Sequence, residues 1–142
     1  MNITEASGAI PRNDFNRMNE HAKLYYEEIR NRKSDIAAIA KNTGFSFDNV
    51  EKIKRHIFID THDLGAEIPL KFTPDFDMAI SWQRLTAGKD IKEMDIILLK
   101  HELHELNLMA QGYDYSTAND MTDLIYNYTK YTKELDAKEG IF

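Results

Sequence analysis

Five ionisable side chains fall within six consecutive positions at Lys100-His101-Glu102-Leu103-His104-Glu105, inside an otherwise apolar stretch. His101 and Glu105 stand four apart, a spacing that puts both on one face of a helix. An imidazole and a carboxylate in that relation can hold one divalent ion. In metalloproteases of the His-Glu-x-x-His type, the Glu after the first ligand polarises the attacking water. Here the last motif position is Glu105, and a carboxylate is an ordinary zinc ligand. The pattern therefore reads as a His-Glu-x-x-Glu site, with His101 and Glu105 as metal ligands, Glu102 as catalytic base and zinc as the ion. The competing reading is a buried helix whose His101 and Glu105 bond each other or neighbours such as Tyr115, Tyr126 or Trp82. His104 projects towards a different part of the face and is assigned to the surface or an outer layer.

The flanks define the element that carries these groups. Asp90 with Glu93 reads as a capping box and Gly112 as a C-terminal cap, giving one helix from 90 to 112. Ile96, Leu99, Leu103, Leu106 and Ala110 form a core stripe, while His101 and Glu105 share the opposite face with Ile97, Leu98 and Leu108. A helix apolar on both sides is central and buried, so its charged groups must be paired or bound to a metal.

No third ligand is evident. His56, Asp60, His62 and Asp63 lie in an irregular segment where functional groups collect, and Asn119 lies at the start of the last helix. His56 and Arg84 are further catalytic candidates. With His101 they would make a metal-free nuclease, for which Lys71 or Lys100 could also serve. No glycine-flanked serine elbow, cysteine or glycine-rich phosphate loop is present.

Periodicity predicts a mainly α, compact single domain over 14–142, a bundle of five to six helices, with residues 1–13 as a tail or arm. Helices are expected from Asp14 to about Arg32, from Asp35 to Asn42 behind an N-cap at Ser34, from Phe47 to about Ile57 behind Ser46, from about Asp75 to Gly88, and from Ser116 to about Leu135. Residues 57–72 read as a short β-hairpin or an ordered loop, with Pro69 restricting any strand to an edge. Ser34 to Ile57 has a helix-turn-helix layout, in which Ala40, Gly44 and Val50 sit at the packing and turn positions. Its second helix begins with Asp48 and Glu51 where base and phosphate contacts would fall, which favours packing over DNA binding.

The 142 residues carry a net charge of −6, 42% hydrophobic residues and no cysteine. That length can bury a core, and any metal must be held by His, Asp, Glu or Asn. The charge disfavours broad attachment to nucleic acid or anionic lipid. Lys52, Lys54 and Arg55, like Arg30, Arg32 and Lys33, read as solvated helix faces. No membrane-length apolar run and no signal-peptide layout are seen, so the expectation is a soluble chain, cytoplasmic in the producing cell or delivered as an effector.

From Tyr25 onward the chain resembles C-terminal domains of bacterial polymorphic toxins and of phage-associated proteins. The resemblance runs through Tyr25 to Arg32, Ile39 to Gly44, Ile53 to Phe58, Phe72 to Ala79, Ser81 to Leu85, Leu98 to Glu102 and Tyr126 to Tyr128. It implies a mostly helical domain with recurrent polar positions at Arg32, His56, Trp82, Arg84, His101, Glu102 and Glu105. It also implies a zincin-like hydrolase of peptide bonds and a protein partner, an immunity or phage protein. Such relatives carry Ala-His where this chain has Ala118-Asn119, which marks a degenerate or repurposed copy. The alternative function is a non-catalytic structural or interaction module from phage or another mobile element.

Overall fold

A computed structural model describes residues 10–140. Among these residues seven α-helices follow one another: α1 Phe15–Asn31, α2 Asp35–Thr43, α3 Phe47–Lys54, α4 Phe76–Ala87, α5 Glu93–Ala110, α6 Tyr115–Asp123 and α7 Tyr128–Lys138. The expected α class is what forms, and α5 is its central helix, in contact with α3, α4, α6 and α7. None of the helices is long and apolar enough to cross a membrane.

Most boundaries follow local chemistry. Asp14, Ser46, Asp75, Asp114 and Asn127 each accept a backbone N–H in the first turn behind them, the usual way to satisfy the donors that a helix start leaves free. Gly44 and Gly88 close α2 and α4 in the left-handed conformation. At Gly88 a Cβ would also meet the Asn42 amide at 2.8 Å.

Several expectations need correction. Ser34 occupies the N-cap position of α2, but its hydroxyl makes no capping bond. Asp90 lies before α5 with φ +55, and the carboxylate of Asp95 accepts from the Lys92 amide at 2.9 Å to fasten the start instead. The single last helix is two, because Leu124 to Asn127 breaks it and Asn127 caps a new start at Tyr128 by accepting from the Lys130 amide. Of the two readings of 57–72, the ordered loop rather than the hairpin forms, and Ile57 to Ile59 belong to a π-helical turn, Arg55–Ile59, that extends α3. Only His62 and Leu70 pair, as one antiparallel bridge. The arm is partly docked: Ile10 packs near Met18, Ala22 and Phe76, and Arg12 bridges Asp77 at 2.6 Å and Asp136 at 2.8 Å. Residues 1–9 lie outside the described part.

The main core joins Tyr25, Tyr26 and Ile29 of α1, Ile39 of α2, Val50 and Ile53 of α3, Trp82 and Leu85 of α4 and Leu99 of α5. Each large side chain buried there contributes about 1.5–3 kcal/mol through removal of apolar surface from water. Val50 is buried in this core, as expected, whereas Gly44 is exposed at the turn that closes α2. Lys54, expected on a solvated face, is instead buried. Its ammonium donates to Asp35 at 2.9 Å and to the Arg32 carbonyl at 2.7 Å, and Asp35 also accepts from the Trp82 indole at 3.0 Å. A buried charge is tolerated only with partners of this kind. The outer face of α3 keeps Phe47, Asp48, Glu51 and Lys52 exposed, which gives a DNA backbone two carboxylates to meet.

Candidate functional site

The site forms where α3, in its last turn, meets α5. The π turn carries an extra residue per turn, which rotates the following side chains; such turns recur at functional sites. Here the turn aims His56 at α5, where its Nε2 lies 2.8 Å from Glu105 Oε1 and 3.5 Å from Glu102 Oε2. His62 reaches back, its Nε2 donating to the His56 carbonyl at 2.8 Å, and its ring stacks on Phe72 at 4.3 Å between centroids. The irregular segment thus fixes the imidazole of His56 from outside.

On α5, His101 and Glu105 share a face as their spacing requires, and both are buried. His101 Nε2 lies 3.1 Å from Glu105 Oε2 and 3.1 Å from Asn119 Oδ1. Its Nδ1 donates to the Tyr126 carbonyl at 2.8 Å, a group made available because the chain breaks between α6 and α7. Asp123 lies 3.4 Å from the same nitrogen. Glu105, only 2% exposed, therefore has an imidazole on each oxygen, which is why so buried a carboxylate can stay ionised.

Electrostatics separate the two glutamates. Burial opposes ionisation of Glu105, but hydrogen bonds from His101 and His56 outweigh it and hold its carboxyl below the usual range. Glu102 lacks such hydrogen bonds and is helped only by the charge of His101. Burial and then the charge of Glu105 push it up to about 8, and its Oε2 is buried without a hydrogen-bond partner. For His101, burial works against protonation, yet Glu105, Glu102 and the Tyr126 carbonyl together raise it to about 9. The imidazolium then donates from both nitrogens, to Glu105 and to Tyr126.

Among the described residues, His56, Glu102 and Glu105 form one group of buried side chains whose donor atoms lie within 4.8 Å of one another and could hold a metal ion. His101 stands outside that group, on the outer oxygen of Glu105. A cavity of about 460 Å³ opens beside them, lined by His101, Glu102, Glu105, Tyr115, Asn119, Asp75 and aromatic neighbours including Tyr26 and Phe72. Burial, followed by the charges of Glu105, Glu102 and Asp123, raises the Tyr115 phenol to about 12, so it remains a neutral donor.

Of the residues singled out in the sequence, His56, His101, Glu102 and Glu105 come together and Asn119 joins them. Arg84 does not. Its guanidinium grips Asp95 at 2.6 and 2.8 Å and faces a different cavity with Ile10 and Leu135. Arg32 lies over the Tyr25 ring and Trp82 serves Asp35, so these recurrent positions also fall in the scaffold. Asp60 pairs with Arg55 on the surface, and His104 bonds Thr122 at 2.8 Å. Tyr115, expected as a neighbour of His101 and Glu105, does line their cavity, whereas Asp75 was missed as a lining residue and was legible only as the opening of a helix. No known family, curated protein or solved structure matches the chain.

Proposed function

We propose that the protein is a metal-dependent hydrolase of acyl or peptide bonds whose ion is held by His56, Glu102 and Glu105. The observation that carries this reading is the orphaned Oε2 of Glu102, buried 3.5 Å from His56 Nε2 beside a second buried carboxylate. A buried, unpartnered carboxylate oxygen is expensive, and a divalent cation is the partner this donor set suits. When bound there, an ion supplies Lewis-acid polarisation of a substrate carbonyl and acidifies a water.

The chain's own residues do the rest. Glu105 is aimed by His101 through its outer oxygen, and His101 is in turn aimed by the Tyr126 carbonyl, the outer support that ligating carboxylates require. As a cation held at about 9, His101 carries a proton into the cavity at Nε2, within reach of Asn119 and of a departing amine. Tyr115 keeps its hydroxyl proton and can donate to developing negative charge on a substrate oxygen. Relative to the motif reading, Glu102 moves from base to ligand and His101 from ligand to support. The lining contains no lysine or arginine, so a phosphodiester would face acids without a compensating cation. With Arg84 engaged elsewhere, this weighs against the nuclease alternative.

The direct bonds from His56 and His101 to Glu105 favour, as second reading, a non-catalytic module in which the cluster only fixes α3 against α5. Metal content of the purified protein decides. The hydrolase reading expects about one equivalent of zinc or a similar ion, lost in His56→Ala and in Glu105→Ala. Absence of any metal after equilibration with zinc would leave the packing module standing.

A further inference from the structure

The cavity has its own chemistry. Of its three carboxyl groups, Glu102 and Glu105 belong to the proposed ion site. The third, Asp75, is the N-cap of α4: it accepts from the Met78 amide at 2.9 Å and from the Asp77 amide, while desolvation holds its carboxyl above the usual range, and the rest of its acceptor capacity is left for a ligand. Asp75 is exposed and lines the same cavity as Phe72 and Tyr115, whose rings stand 5.0 Å apart between centroids and tilted by 46°. Glu102 Oε2, without a hydrogen-bond partner on a residue 6% exposed, belongs to the same cavity wall and is an acceptor that an entering cation meets. If a metal ion offsets the charge of the two glutamates, Asp75 remains as the cavity's third carboxylate, offset in part by the charge of Arg12.

A cation gains twice in such a place, from the carboxylate and from aromatic faces that attract ammonium and guanidinium groups. The net charge of −6 draws the same ligands from a distance. A volume of about 460 Å³ is in the range of small-ligand pockets and admits one long side chain with its flanking peptide groups. We propose that this cavity receives a lysine or arginine side chain of a peptide, held by Asp75 and by the faces of Phe72 and Tyr115. Only the further step, that the adjoining carbonyl then lies over Glu102 and Glu105, rests on the hydrolase reading.

The test is calorimetric binding to the protein as purified. The probes are Nα-acetyl-arginine methylamide, its lysine counterpart, and the citrulline counterpart, which keeps the shape of arginine without the charge. Wild type is expected to bind the two cations about tenfold more tightly than citrulline, the combined scale of one exposed ion pair and one cation–π contact. Asp75→Asn is expected to bring that ratio below about threefold, with an unchanged melting temperature because Asn is as good an N-cap as Asp. Equal affinities for charged and neutral probes, including no binding of either, overturn the proposal, as does a preference that survives Asp75→Asn. Metal content separates the two claims. A charge preference in a protein that takes up no metal upholds the pocket and sinks the hydrolase, and metal uptake with no preference does the reverse.

Discussion

Replacing Glu102 by Gln should stabilise the metal-free protein while abolishing its response to metal. The carboxyl of Glu102 rises from an ordinary 4.5 to about 8 in the fold. Between those values the unfolded chain releases a proton that the folded chain keeps, so stability falls as pH rises from about 4.5 and levels off above about 8. At pH 7 the interval traversed is about 2.5 units, which at 1.36 kcal/mol per unit is about 3 kcal/mol. Gln removes that loss. Its amide still lacks a partner and costs about 1–2 kcal/mol, but this penalty does not change with pH. The variant-minus-wild-type stability should therefore grow by about 3 kcal/mol from pH 4.5 to pH 7. Urea unfolding with chelator across that range measures it. With zinc at about 100 times its dissociation constant, wild type should gain about 2.7 kcal/mol by mass action, and Glu102→Gln little or none. A stability difference that is flat with pH would refute the burial of an unpartnered carboxyl. A variant that is stabilised by zinc as fully as wild type would refute its place among the ligands.

The remaining predictions test the surrounding network. His101 is raised from 6.5 to about 9 in the fold, so its contribution is fully present below about 6.5 and lost as pH climbs through about 9; His101→Gln should lose that alkaline decline, measured by thermal unfolding between pH 6 and 10. Metal uptake by Glu105→Gln should be lost together with that of His56→Ala, whereas Arg84→Ala should bind metal normally while losing stability, read by metal analysis alongside melting. Asp35→Ala strands the buried ammonium of Lys54 and should cost about 3–5 kcal/mol, while the double replacement Asp35→Leu with Lys54→Met should recover much of it. A single variant as stable as wild type in urea would show that the pair is not desolvated.

What the sequence determined by itself is what depends on short spacings. Helical class, the capped start at Ser46, the helix openings near Asp14 and Asp75, the glycine stops at Gly44 and Gly88, and the burial of His101 and Glu105 on one face of α5 all follow from i to i+4 geometry and local hydrogen bonding. Where a local signal competes with packing, it gave way: Asp90 yielded the start of α5 to Asp95, and Lys54 left its basic neighbours for Asp35, a partner nineteen residues away. What only the tertiary structure decided is which residues from distant segments meet. The π turn swings His56 onto Glu105, forty-nine residues on, and the break after α6 frees the Tyr126 carbonyl for His101. Folding α4 beside α5 turns the cap residue Asp75 into a cavity wall. No local periodicity encodes these approaches, because each depends on the angle at which helices cross and on a kink or break whose energy is settled by the whole core. Arg84 and His56 look alike as polar residues at helix ends; packing sent one to Asp95 and the other to the glutamates.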